Sequence, residues 1–143
     1  MDFSNSWKKH IRKIIWPTLF LLLLLTFAVV RFSHLVEKTR EGTTVGRLND
    51  LRQAILLYYQ DHNGQFPREL AVSGQFGRYL PRIPAVEPLH PRNSPVSPGG
   101  NQISYGTSAP EGFSQGWYYN YENGMIFVNS IGRDTRGISY TAY

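Results

Sequence analysis

The stretch Ile14–Val30, IIWPTLFLLLLLTFAVV, decides the architecture of this chain. Its 17 residues carry no charge, and seven consecutive bulky apolar side chains lie at its centre. As a helix with a rise of about 1.5 Å per residue it is roughly 26 Å long, slightly less than a hydrocarbon core of about 30 Å. The stretch therefore predicts a transmembrane helix, whose membrane-spanning residues include Ile14, Trp16, Leu22, Leu25 and Val30.

Two other readings of this stretch fit less well. A cleavable signal peptide has an apolar region of about 7–15 residues followed by a small-x-small cleavage site, whereas Val30-Arg31-Phe32 follows this longer run. A buried core helix of a soluble protein normally keeps a polar face, which this run lacks. Lys13 and Arg31 bound the run and can reach the interfaces with their long side chains, and Trp16 suits an interfacial position.

The distribution of charge predicts the orientation in the membrane. Four basic residues crowd the segment before the span, namely Lys8, Lys9, Arg12 and Lys13. After the span, the basic residues Arg31, Lys38 and Arg40 are mixed with the acidic residues Glu37 and Glu41. The positive-inside bias then makes residues 1–13 a basic cytoplasmic tail, which could also contact anionic lipid. Residues 31–143 are expected to form an extracytoplasmic domain, in the periplasm where the cell has one.

Composition excludes several classes of protein. The chain has no cysteine, so disulfides and thiolate metal sites are ruled out. Charged residues are sparse (17%) and aromatic residues abundant (14%), the reverse of a disordered chain. Residues 31–143 hold 11 basic and 9 acidic side chains, a net charge of +2. No concentrated basic face is visible, and we expect no nucleic-acid partner.

A second helix is predicted over about residues 44–62. Apolar side chains recur there at intervals of three and four residues and form one stripe: Val45, Leu48, Leu51, Ile55 and Tyr58. Asn63-Gly64 followed by Pro67 marks the helix end. Gly42 is expected to interrupt the helix between the membrane and this stripe, with Thr43 or Thr44 capping the restart. Pro17 is expected in the first turn of the membrane helix.

The remaining chain divides into a loop region and a β region. Residues 66–112 contain eight of the nine prolines and are read as a loop with a short helix near Gly74–Leu80. Residues 116–130 form the predicted C-terminal hairpin, turning tightly at Asn123-Gly124 with both residues at positive φ. A third strand is expected near Gly137–Tyr140. The predicted fold is α+β, a long helix packed on a small antiparallel sheet through Leu51, Ile55, Tyr58, Trp117 and Tyr119.

Several stretches resemble type IV pilin-like proteins, most closely the pseudopilins of type II secretion systems. The segment Leu51–Pro67 resembles the family's helix end, which closes with Asn-Gly-x-aromatic-Pro. Tyr79-Leu80-Pro81 resembles the segment that follows it, and Gly116–Tyr119 with Val128–Ser130 resembles the terminal hairpin. The resemblance covers roughly residues 30–143. It implies a single-pass protein of the bacterial inner membrane that associates with lipid, other pilin-like subunits, and secretion or pilus assembly proteins.

The N-terminal part departs from this family. A prepilin has a glycine at its processing site and a glutamate five residues into the mature helix. This chain has no glycine before Gly42 and no acidic residue between Asp2 and Glu37. We therefore expect an anchor that is not cut by the usual peptidase, and an accessory, tip or platform component rather than a repeating filament subunit.

Candidate ligand-binding residues are few. The resemblance implies calcium near Asn129, Ser130 and Asp134, because major pseudopilins bind calcium in a loop at this place. Calcium prefers six to eight oxygen ligands, several of them carboxylates, and only Asp134 supplies one here. The alternative is a turn in which Asp134 caps backbone amides. No other cofactor is expected, and no nucleophile motif or histidine pair indicates an enzyme. A membrane-tethered binding module that does not polymerise stays open as an alternative function.

Overall fold

The structure, a computed structural model, describes residues 3–89 and 98–143, and within them all side chains except those of residues 3–12 and His34. The basic side chains before Lys13, and their expected contact with lipid, lie outside the described residues. So does the central part of the proline-rich loop. The chain divides into two units, the first ending at Val36 and the second running Glu37–Tyr143.

Helix α1 runs Phe3–Asp61 without interruption, so the predicted break at Gly42 is wrong. The Thr43 hydroxyl donates to the Thr39 carbonyl oxygen at 2.9 Å, within the helix, instead of capping a restart. Glu41 and Thr44, on either side of this point, are buried within the second unit, and their contacts offset the low helix propensity of glycine. Pro17 lies in the helix interior and not in its first turn.

The sheet has three strands in the order β1-β2-β3, with β1 at Ile103–Gly106, β2 at Phe113–Asn120 and β3 at Ile126–Ser130. The β2–β3 pair is antiparallel, as predicted for the hairpin. Strand β1 lies parallel to β2, with Ile103 opposite Trp117. The sheet is therefore mixed, and the prediction of a purely antiparallel sheet is wrong because its third strand comes from the proline-rich region.

The hairpin turn is longer than the two-residue turn expected at Asn123-Gly124. Five residues separate β2 from β3, and Asn120 N–H donates to the Met125 carbonyl oxygen at 2.8 Å. Only Gly124 has positive φ (73°), so Asn123 does not adopt the predicted conformation. A bulge interrupts the register between Phe113 and Trp117, where Gly116 has φ 74°.

The segment near Gly137–Tyr140 is not a third strand. Ser139 forms one isolated antiparallel bridge with Arg133, and a 3₁₀ helix then covers Tyr140–Ala142. The Ser139 side chain accepts from Thr141 N–H and caps this helix. Local side-chain hydrogen bonds of this kind compete with strand pairing, which accounts for the difference.

The second unit has an α+β core in which α1 packs on the sheet. The loop region covers the rest of the core and includes a 3₁₀ helix at Gln75–Arg78, in the place predicted for a short helix. The buried apolar residues come from the helix, the sheet and the loops: Leu48, Leu51, Ala54, Ile55, Leu70, Phe76, Val86, Leu89, Trp117, Tyr119, Ile126, Val128 and Tyr140.

Candidate functional site

The apolar N-terminal part of α1 is one candidate functional surface. Among the described residues, one helix is long and apolar enough to cross a membrane, and it contains this segment. The five predicted spanning residues lie on it and are all exposed, from 57% for Val30 to 67% for Trp16: Ile14, Trp16, Leu22, Leu25 and Val30. Such a continuous apolar surface marks a site of contact with lipid or protein.

The polar side chains within this segment are satisfied by the helix itself. Thr18 Oγ1 donates to the carbonyl oxygen of Ile14 at 2.8 Å, and Thr26 Oγ1 donates to that of Leu23 at 2.8 Å. Ser33 makes the same kind of bond to Val30 at 2.8 Å. Because an unsatisfied hydroxyl in hydrocarbon is costly, these bonds make the segment compatible with a bilayer.

The predicted helix–sheet residues meet in the core of the second unit. Leu51, Ile55, Trp117 and Tyr119 are buried, and Tyr58 packs against them at the edge of the cluster. Two of these side chains also tie down the loop region. Trp117 Nε1 donates to the Pro84 carbonyl oxygen at 2.7 Å, and Tyr119 Oη donates to that of Pro67 at 2.8 Å. Burial raises the pKa of Tyr119, so its hydroxyl stays a donor.

Glu41 connects α1 to the C-terminal segment, residues 131–143. Its side chain is buried, with Oε1 accepting from Thr135 N–H and Oε2 accepting from Thr135 Oγ1, both at 2.7 Å. Charge-assisted bonds of this length are about twice as strong as neutral ones. Tyr140 Oη lies 3.5 Å from the same carboxylate. A charged residue on the helix thus fixes a segment 94 positions later in the sequence.

Polar residues further along the same helix hold the segment Pro84–Glu87. Arg47 Nη1 donates to Glu87 Oε1 and to the Ala85 carbonyl oxygen, both at 2.6 Å. Thr44 Oγ1 accepts from Glu87 N–H at 3.2 Å. The helix face between Glu41 and Arg47 therefore holds two separate loops by polar contacts, in addition to the apolar stripe.

The three candidate calcium ligands each have a different protein partner. Asn129 Nδ2 donates to Ser104 Oγ at 3.0 Å, and Ser130 Oγ accepts from Gly132 N–H at 3.1 Å. Asp134 Oδ1 accepts from the backbone amides of residues 136 and 138. In the part of the chain that the structure describes, no group of three or more histidines and carboxylates is placed to hold a metal. This geometry is that of a capped turn.

The remaining oxygen of Asp134 completes a small polar network. Its Oδ2 accepts from Arg136 Nε at 2.7 Å and from Tyr143 Oη at 2.5 Å. Burial alone would raise the pKa of Asp134, but the hydrogen bonds from Tyr143, Arg136 and two backbone amides outweigh it and lower that pKa to about 2. Burial and the bond to Asp134 raise the pKa of Tyr143 to about 12.

Some of these contacts leave no signal in the sequence. Glu41 precedes the apolar stripe and reads as an exposed helix charge, and its partner Thr135 is far along the chain. Thr44 was one of two capping candidates, although it continues the stripe: Thr44, Leu48, Leu51, Ile55 and Tyr58 are spaced by four, three, four and three residues. The position of Thr44, a polar residue in phase with an apolar stripe, was the signal that could have predicted its burial.

Comparison of the chain with protein family profiles, with curated proteins and with solved structures finds no significant match. The long N-terminal helix and small mixed sheet are compatible with a pilin-like fold.

Proposed function

We propose that the chain is a membrane-anchored, pilin-like structural component of a type II secretion or type IV pilus machine. The observation that carries this proposal is that one helix has two roles, one in each half of its length. Helix α1 bears an exposed apolar segment with no polar face, and its later residues form the spine of a small α+β unit. Pilin-like proteins use a helix in these two ways, and the family resemblance of residues 51–67 supports the same assignment.

The chemistry of the apolar segment favours an accessory component over a repeating subunit. From Ile14 to Val36 there is no acidic residue that could pair with the N-terminal amine of a neighbouring copy. The hydroxyls of Thr18, Thr26 and Ser33 bond to their own helix. Between copies of this segment only apolar packing is left, and in lipid that packing has no hydrophobic driving force.

The orientation follows from charge. Four basic residues precede the span within residues 8–13, and the positive-inside bias favours an N-terminus in the cytoplasm and residues 31–143 outside it. A single cysteine at the exposed position Gln53 tests this in the cysteine-free chain. We expect a membrane-impermeant maleimide to label it in intact spheroplasts. Labelling that requires lysis would contradict the proposed orientation.

Cross-linking in native membranes tests the structural role. Single cysteines at Leu22 and Leu25 share one helix face, and a cysteine at the equally exposed Phe20, on the opposite face, is the matched control. An accessory component should give one cross-linked species of defined size from one face only. A ladder of dimers, trimers and larger species would instead indicate a repeating filament subunit. Monomer from every position would remove the support for a role in an assembly.

A further inference from the structure

A cleft lies where α1 ends beside the β2–β3 turn, in the second unit of the chain. Its volume is about 810 Å³, within the range of small-molecule sites. Three aromatic side chains, Tyr59, Phe66 and Tyr121, line it together with three polar ones, Gln65, Arg68 and Glu122. Of these six side chains, Phe66 also packs against the core of the second unit.

One wall of the cleft is fixed by packing. The rings of Tyr59 and Phe66 lie 4.4 Å apart between centroids, tilted by 31°. A Cβ atom on Gly64 would lie 3.3 Å from the Tyr59 hydroxyl, and one on Gly124 would lie 2.3 Å from the Phe66 ring. Tyr59 is therefore packed between Gly64 and Phe66, and Phe66 between Tyr59 and Gly124. A site that is formed before the ligand arrives costs less conformational entropy on binding.

The polar side chains of the cleft are available to a ligand, as far as the residues that the structure describes are concerned. Gln65, Arg68 and Glu122 are exposed, and their side chains make no hydrogen bond or ion pair with other residues that the structure describes. The hydroxyls of Tyr59 and Tyr121 have no such partner among these residues either, and Tyr121 is 41% exposed. The cleft thus offers donors and acceptors beside aromatic surfaces.

We propose that this cleft binds a neutral carbohydrate chain. The ring of Tyr121, which is 41% exposed, offers a face of negative quadrupole to the carbon-bound hydrogens of a sugar ring. Each sugar hydroxyl both donates and accepts, so it can accept from the Arg68 guanidinium and donate to the Glu122 carboxylate. The one positive and one negative side chain cancel, which favours a ligand without net charge.

Other classes of ligand suit the cleft less well. An anion would meet the Glu122 carboxylate, and a cation would meet the Arg68 guanidinium. An extended peptide usually pairs with a free strand edge, but β2 ends at Asn120 and the cleft is lined by the turn that follows. The inference does not depend on the proposed structural role.

Calorimetric titration of the full chain, in a detergent without a sugar head group, tests the inference. The probes are tetra-N-acetylchitotetraose and maltotetraose, both neutral, with an uncharged tetrapeptide as the competing class. We expect saturable binding of at least one sugar with a Kd below roughly 1 mM. Tyr121→Ala and Glu122→Gln should each weaken sugar binding about tenfold or more. Both residues are exposed and outside the strands, so both variants should still fold.

Met125→Ala is the matched control. Met125 is exposed at the same turn but lines a different groove, so its loss should leave sugar binding unchanged. The unfolding midpoint, followed by the fluorescence of buried Trp117, verifies that each variant is folded. No binding of either sugar at about 10 mM, binding that Tyr121→Ala and Glu122→Gln do not alter, or binding of the tetrapeptide instead would overturn the inference. None of these outcomes bears on the cross-linking experiment.

Discussion

Replacing Glu41 with alanine should weaken the attachment of the C-terminal segment to α1. The change removes two hydrogen bonds of 2.7 Å from a buried carboxylate to Thr135. Bonds to a charged group contribute about 1.5–3 kcal/mol each. The exposed Thr135 regains hydrogen bonds to water, and alanine favours the helix by a few tenths of a kcal/mol. We therefore expect the free energy of unfolding to fall by about 2–4 kcal/mol, a large part of the roughly 5–15 kcal/mol typical of a domain.

Urea unfolding of the full chain in detergent measures this loss. Phenylalanine at Trp7 and Trp16 leaves the buried Trp117 as the reporter for the second unit. With a slope of about 1–2 kcal/mol/M, the midpoint should fall by about 2 M. The exposed Glu69→Ala is the control and should change stability by less than about 0.5 kcal/mol. An equally small effect of Glu41→Ala would refute the reasoning, as would additive effects of Glu41→Ala and Thr135→Val, because bonded partners must couple.

Three further predictions use the same unfolding assay. The depressed pKa of Asp134, about 2 against an ordinary 3.8, stabilises the fold above about pH 4. About 2 kcal/mol should be lost as pH falls through 4 towards 2, and Asp134→Asn should remove this dependence. Gly116→Ala should cost about 2–4 kcal/mol, because its φ is 74° and a Cβ would lie 2.1 Å from the Gln102 carbonyl oxygen; an unchanged midpoint would contradict this. Tyr119→Phe should cost about 1–2 kcal/mol by leaving the buried Pro67 carbonyl unpaired, whereas a neutral result would mean that water replaces the hydroxyl.

The sequence predicted those elements whose signal is local. The apolar run at Ile14–Val30 and the stripe at Leu51 and Ile55 each carry their own periodicity, and both lie in the observed helix. The hairpin is likewise predicted by a local pattern, two aromatic and β-branched runs on either side of a glycine. The α+β fold follows from these three signals, since a stripe of this length needs an apolar sheet face to cover it.

The errors lie where distant residues decide the structure. Strand β1, Ile103–Gly106, is four residues long in a proline-rich region, and only its pairing with β2 makes it a strand. Gly42 stays helical because Glu41 and Thr44 on either side are held by residues 135 and 87. The cleft around Tyr59 and Glu122 was not predicted for the same reason, since its two walls are about 60 positions apart.

The bond between Glu41 and Thr135 joins an early part of the chain to a late one. Synthesis makes the helix first and its partner 94 residues later, so Glu41 lacks this partner until nearly all of the described chain has been made. Closing so long a loop costs entropy before any contact repays it. During this interval the unit lacks its last strand contacts and its C-terminal segment.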